Sequence, residues 1–262
     1  MSDSVRRELE FAVDTARAAG RITLRYFQTG VDVDTKADHS PVTIADREAE
    51  LEIRTRLQRA FPDDGFVGEE FGASTGTSGR TWFIDPIDGT KSFVAGVPLY
   101  GVLLGLQDAA GASLVGVVYL PALDDMVFAG RGEGAWWNGR SAHVSSVSDM
   151  AAATLCYTSS TSFARHGRQQ AWQALSGSAR LARGWGDCYG HVLVATGRAE
   201  AMLDPIMNPW DCGPFPVILE EAGGTFTDWQ GKTTIHGADA VSTNGHLRDD
   251  ILHHLRAPGP LR

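Results

Sequence analysis

The chain has 262 residues, enough for one large domain or two closely packed halves with substantial cores. Hydrophobic residues make up 43% and charged residues 21%, with no low-complexity tract, which excludes a disordered or fibrous protein. A net charge of -9 argues against nucleic acid or an anionic membrane as the main partner, and it means that any anionic ligand needs bound cations or a local cluster of donors.

The opening stretch MSDSVRRELE has no apolar leader core, so no signal peptide is expected. Val5, Leu9, Ala12, Val13 and Ala16, then Ile22, Tyr26 and Phe27, recur at helical spacing and predict a long amphipathic helix ended by Gly30. HSPVTIADREAELEIRTRL opens with Pro41 and a Thr43/Asp46 pair resembling a capping box, and Ala49, Ile53 and Leu57 give a second helix its apolar face. After FPDDG come short apolar runs, FVG, TWFID, VPLYGVLLGL, SLVGVVYLP and DMVFAG, predicted as strands with several antiparallel hairpins; GAWWNGR carries an Asn-Gly turn. The longest uncharged run, Ser92 to Gln107, is interrupted by Gly96, Pro98, Gly101 and Gly105 and is short for a membrane span.

From about Met150 strands and helices alternate. Strands are predicted near ATLCYT, ARLAR, AEAMLD, GTFTDW and ADAVST; helices across ARHGRQQAWQAL, through DCYGHVLVATG, from Asp211 to Ala222 and around LRDDILHHL. The expected division is an α+β half, 1–148, and an α/β half, 149–262, without a flexible linker. Cys156, Cys188 and Cys212 are widely spaced and odd in number, which fits reduced thiols in a cytoplasmic protein.

Within WFIDPIDGTKSF, residues 82–93, an apolar run ends in Asp85 and Asp88, followed by Gly-Thr-Lys. Like charges so placed repel, and aspartate is a poor end for a buried strand unless something compensates it; a divalent cation does so. Acids also stand where local structure does not ask for them in VGEEF, with Glu69 and Glu70, and in PWDCG, with Asp211. Mg²⁺ prefers carboxylate, carbonyl and water oxygens, and two such ions sharing an aspartate, roughly 4 Å apart, clamp a phosphoryl group and activate water. Taken singly, the glutamates read as a solvated pair, Asp211 as a helix N-cap and Asp88-Gly89 as a turn. Together behind WFI, they point to metal. The haloacid-dehalogenase phosphatases carry a DxDGT string with one residue between the aspartates; here Pro86 and Ile87 intervene, which takes the second carboxylate out of its role beside a covalent aspartyl-phosphate.

GEE, WFIDPIDGTKSF and WDCGPFPVILEEAGG, in that order, resemble the inositol monophosphatase family of Mg²⁺-dependent phosphatases, from SPVTIAD to STNG. The resemblance implies a layered αβαβα sandwich of the inositol monophosphatase and fructose-1,6-bisphosphatase kind, usually a homodimer. It further implies that Glu69, Asp85 and the Ile87 carbonyl hold one Mg²⁺ while Asp85, Asp88 and Asp211 hold a second, among two or three ions. Glu69 and Thr90 would orient the attacking water, with Glu70 in support and Asp46 behind the metals. Gly89 and Thr90 would present N–H groups to the phosphate. Pro214 and Pro216 depart from the family pattern after WD, and from them the helix is expected to begin one or two residues late and to alter the approach of Asp211.

For the substrate, a small phosphate ester, the string Arg183-Gly184-Trp185-Gly186-Asp187 with Cys188-Tyr189 resembles the histidinol-phosphatase branch of the family. Asp187 and Asp204 suit the ammonium and imidazole of histidinol phosphate better than an uncharged polyol, and Arg183 is a candidate contact to phosphate or to a second subunit. The alternatives are a polyol phosphate such as inositol 1-phosphate, with Asp187 only a helix N-cap, or a catalytically silent ligand-binding regulator. His191 is expected to be a core residue rather than a metal ligand, and Trp185 either stacks on an imidazole or packs in the core.

Overall fold

The computed structural model describes residues 3–35 and 41–256. The first two residues of MSDSVRRELE, His39 and Ser40 of HSPVTIAD, and the end of the second half lie outside them. The two predicted N-terminal helices form as Asp3–Tyr26 and Ile44–Ala60. Thr43 caps the second: its hydroxyl oxygen accepts the Ala45 N–H, while Asp46 Oδ2 accepts the Thr43 N–H at 2.8 Å. Aspartate thus closes the reciprocal cap that glutamate more often provides.

These helices set Leu9, Ala12, Ala16, Ala49, Ile53 and Leu57 against Trp82, Ile84, Leu104 and Val117 on one face of an eight-stranded sheet. Across that sheet run Arg140–Ser141, Gly134–Trp137, Asp125–Gly130, Ser113–Leu120, Gly101–Gln107, Thr81–Asp88, Gly65–Gly68 and Gly72–Ser74. Gly65–Gly68 pairs with Thr81–Asp88 in parallel and the other neighbours are antiparallel. The Asn138-Gly139 hairpin turn has φ 48° and 79°, the backbone such a dipeptide favours.

A five-stranded sheet follows in the order Leu181–Arg183, Thr154–Tyr157, Ala201–Asp204, Ala240–Thr243, Thr225–Thr227. The helices Asp187–Ala195 and Phe215–Glu221 lie between the sheets, packing Val192, Leu193, Phe215 and Val217 with Phe83, Leu103 and Val118 from one and Cys156, Met202 and Ala240 from the other. Phe163, Trp172, Leu175, Ile251 and Leu252 cover the outer face of the second sheet. The result is the αβαβα layering. The strands on either side of residue 148 belong to different sheets, yet one core crosses that boundary. Among the described residues no helix is long and apolar enough to cross a membrane.

Two predicted helices differ. The one across ARHGRQQAWQAL is two, Ser160–Arg165 and Gln169–Ser178, because Gly167 takes φ 70° and breaks the run. The one expected from Asp211 starts earlier, at Pro209, and splits into Pro209–Cys212 and Phe215–Glu221. Pro214 and Pro216 lack the N–H groups that would tie the turns together, while Gly213 (φ -44°, ψ -47°) and Pro214 (φ -78°, ψ -26°) keep the backbone helical. Asp211 therefore sits upstream of the proline interruption, in a first turn opened by Pro209. This segment lies directly on strand backbone: a Cβ on Gly105 would fall 2.3 Å from the Gly213 carbonyl carbon, and one on Gly116 2.2 Å from the Pro214 oxygen.

Candidate active site

Residues 85 and 88, three apart, would point to opposite faces of a regular strand. They do not, because the strand bulges: Asp85 pairs with Leu103 and Asp88 with Gly101, so three steps oppose two and both carboxylates leave on one face. Pro86 removes a ladder donor within the bulge, and the freed Ile87 N–H turns back to Asp85 Oδ1 at 3.0 Å. The Ile87 carbonyl accepts the Thr90 hydroxyl at 3.1 Å, drawing the chain into the short helix Thr90–Val94. Gly89 makes the corner at φ 84°; a Cβ there would meet the Leu99 carbonyl at 3.1 Å and Asp187 Oδ2 at 3.2 Å.

Asp211 arrives from the other side. The Asn208 N–H and side-chain amide donate to its Oδ2 at 2.9 and 3.2 Å, so it closes a cap from the third helical position and is not itself the N-cap. Asp85, Asp88 and Asp211 then offer oxygens all within 4.8 Å of one another. With Glu69, Ile87, Gly89, Thr90, Lys91, Asp187 and Asn208 they line a cavity of about 220 Å³.

The electrostatics are those of crowded acids. Burial pushes Asp85 well above the usual carboxylate range, and Glu69, Asp88 and Asp211 push it further. Asp88 is raised by burial and by Asp187 and Asp211, although the Cys188 N–H donates to its Oδ2. Asp211 is raised to about 6 by burial, against the Asn208 hydrogen bonds and with Glu69 adding repulsion. Lys91 is the one basic side chain in this wall among the described residues. Such a set retains protons or takes up cations.

A second cavity of about 340 Å³ shares Asp88, Lys91, Asp187, Asn208 and Asp211 and adds Thr158, Ser159, Ser162, Arg165 and the 204–207 turn. Asp187 is not the N-cap of its helix: Gly186 holds that place and Asp187 takes φ 52°. The Thr158 hydroxyl accepts its N–H at 2.9 Å, leaving the carboxyl to the cavity, where burial and Asp204 raise it to about 7 against the pull of Lys91. Asp204, 5% exposed, ends the central strand Ala201–Asp204 on the same wall.

Other expected residues fall elsewhere. Arg183 is exposed on an edge strand, donates to the Ala182 carbonyl at 3.0 Å and lines neither cavity; Arg165 stands in the wall instead. Trp185 is 37% exposed and outside both walls. Asp46 is buried with its Oδ2 on the Thr43 N–H and hydroxyl, and neither it nor Glu70 lines the cavities. The turn that carries Glu69 is held by the Glu69 N–H on the Ile84 carbonyl at 3.2 Å and by Glu50, which sequence reasoning missed. Fully buried in Ile44–Ala60, Glu50 accepts the Glu70 N–H at 2.7 Å, the Phe71 N–H at 3.2 Å and Arg54 Nε at 2.7 Å, clamping the GEEF loop. Its spacing to Arg54 is that of an ordinary surface ion pair. The one further signal is Gly68, where a Cβ would strike Glu50 Oε1 at 2.0 Å.

The model of the inositol monophosphatase family matches residues 4–257. This chain belongs to that family. It is a phosphatase by descent. A histidinol-phosphatase of Chlorobaculum parvum is 44% identical over 247 residues, covering 94% of this chain and 95% of the relative. A second, from Mycobacterium tuberculosis, is 40% identical over 256 residues, covering 95% and 98%. Among solved structures, the extragenic suppressor protein suhB from Bartonella henselae superposes with a TM-score of 0.87 at 26% identity, over 97% of this chain and 100% of that one. An IMPase/NADP phosphatase complexed with Mg²⁺ and phosphate shares the fold, with a TM-score of 0.84 at 21% identity over 98% of each chain.

Proposed function

We propose that this family member is a Mg²⁺-dependent histidinol-phosphatase, hydrolysing L-histidinol phosphate to L-histidinol and phosphate. The observation that carries the substrate is the placement of Asp187 and Asp204 on one wall of the second cavity, next to the carboxylate cluster. A leaving group with an ammonium and an imidazole fits two acids; a neutral polyol does not need them. The similarity to two histidinol-phosphatases at 44% and 40% identity supports the same reading.

The residues fit Mg²⁺: the donors are all oxygens, and three carboxylates converge within 4.8 Å where burial has raised the proton affinity of each. Glu69, Asp85 and the Ile87 carbonyl would hold one ion and Asp85, Asp88 and Asp211 another, in a site for two or three. When bound, Mg²⁺ neutralises phosphoryl charge and acidifies water. Thr90 spends its proton on the Ile87 carbonyl, so its lone pairs are left to accept from the attacking water, which Glu69, lining the same cavity, would help to orient. The N–H groups that open Thr90–Val94 face without intrahelical partners, and Gly89 lets phosphate approach them. The ammonium and imidazole end of the leaving group would lie toward Asp187 and Asp204, and the leaving oxygen takes up a proton from water as the P–O bond breaks.

A cytoplasmic setting and a homodimer complete the proposal. Three free, buried thiols support the first, and Arg183, exposed at a sheet edge, is assigned to the subunit contact. The deciding experiment is phosphate release from L-histidinol phosphate and from myo-inositol 1-phosphate, with Mg²⁺ and with EDTA. A Mg²⁺-dependent kcat/KM much higher for histidinol phosphate is expected; preference for the inositol ester overturns the substrate, and undiminished release in EDTA overturns the metal.

A further inference from the structure

We infer that His191, with Ser242, is a positioning residue that holds the Asp204 carboxylate in place for the cationic leaving group; this rests on the substrate reading above. His191 is fully buried in Asp187–Ala195, one turn after Asp187. Its Nδ1 lies 2.7 Å from Ser242 Oγ and its Nε2 3.3 Å from Asp204 Oδ2. The ring stacks on Phe215 at 4.3 Å between centroids, so it has little room to turn. Gly190 lets the helix come this close: a Cβ there would fall 2.3 Å from Met202 Sδ on the Asp204 strand.

Asp204 needs such a neighbour. It is 5% exposed and lines the cavity, and among the described residues its Oδ2, like His191 Nε2, makes no well-aligned hydrogen bond. Buried carboxylates are held by donors, and among the described residues the ring nitrogen that faces this one is His191 Nε2. A carboxylate accepts only, so Nε2 carries the proton toward it, and Nδ1 then accepts from the Ser242 hydroxyl. The chain Ser242, His191, Asp204 ties the middle helix to two adjacent strands of the second sheet. A donor of this kind fixes the carboxylate without placing a lysine or arginine beside it, so the acid stays available to the substrate's cation.

The test measures kcat and KM of the full-length, Mg²⁺-loaded protein on L-histidinol phosphate and on myo-inositol 1-phosphate. For His191→Phe, which keeps a ring but removes both nitrogens, KM for histidinol phosphate should rise about tenfold with kcat within about twofold, and the inositol ester should be unaffected. Ser242→Ala should move KM in the same direction by about threefold. Should His191→Phe fail to fold by circular dichroism, Ser242→Ala carries the same test. Equal loss on both esters, or no change on either, overturns the inference. If Asp204→Asn selectively loses histidinol phosphate while the His191 and Ser242 variants do not, the positioning role fails and the substrate reading stands. If the unsubstituted protein shows no preference for histidinol phosphate, both fall.

Discussion

The two walls of this cleft both carry buried acids, and they are built on opposite plans. On the first sheet a bulge brings Asp85 and Asp88 to one face, Glu69 lines the same cavity from the turn after Gly65–Gly68, and Asp211 joins them from the middle layer. Protein donors reach only part of this charge, so repulsion remains. On the second wall Asp187 and Asp204 stand on separate elements, one held at a strained corner by Thr158, the other facing His191. Crowded acids demand cations from solution, whereas two acids carried on separate elements can wait for a cation on the substrate. In the proposed reading, chemistry and choice of substrate fall to different walls of one cleft, with Asp211 reaching the first wall from the second half of the chain.

The difference can be broken most severely at Asp88. Asp88→Asn should lower kcat by about 10³-fold or more on every phosphate ester while circular dichroism stays native; full activity would remove Asp88 from the metal set. Next, Thr90→Ala should reduce kcat by about 10²-fold with little change in KM, and a KM effect alone would move Thr90 to substrate binding. Glu50→Ala releases the GEEF loop, and steady-state kinetics should show kcat down about tenfold together with a higher Mg²⁺ requirement, because Glu69 loses its support. If Glu50 mattered only to folding, the melting temperature would drop with no change in Mg²⁺ dependence.

The smallest expected effect concerns pH. Asp187 and Asp211 rise from 3.8 to about 7 and about 6, so in chelated protein the folded chain holds protons that the unfolded chain has released. Stability therefore falls as pH climbs from about 4 to about 7. Calorimetry in EDTA should show a higher melting temperature near pH 5 than near pH 7.5, and Mg²⁺ should close the gap from the alkaline side. A gap of the same size with Mg²⁺ would mean the cluster does not bind it.

The first wall was legible in the sequence because its chemistry is local. Asp85, Asp88, Gly89 and Thr90 fall within six residues, and a bulge around proline is the backbone such a string demands. The first two helices and the α/β character of the second half were legible through periodicity and the alternation after Met150, the layering only through the family resemblance. What stayed hidden depends on distant partners. Glu50 looks like half of a surface pair until the loop is seen folded onto it, and Thr158 has no motif at all. Asp187 reads as an N-cap because an acid before CYGHVLV invites it, and only the φ of 52° shows Gly186 taking that place. The early helix start at Pro209 is hidden in the sequence by Pro214 and Pro216, which interrupt hydrogen bonds without ending the helical backbone.

The most direct test of a cleft divided between metal and specificity is the ratio of kcat/KM for L-histidinol phosphate to that for myo-inositol 1-phosphate, measured at saturating Mg²⁺ in the natural sequence and in Asp187→Ser. The expected result is a ratio lowered about tenfold or more, with turnover of the inositol ester within about threefold of the original. A loss shared equally by the two esters would contradict the account and return Asp187 to a purely structural role.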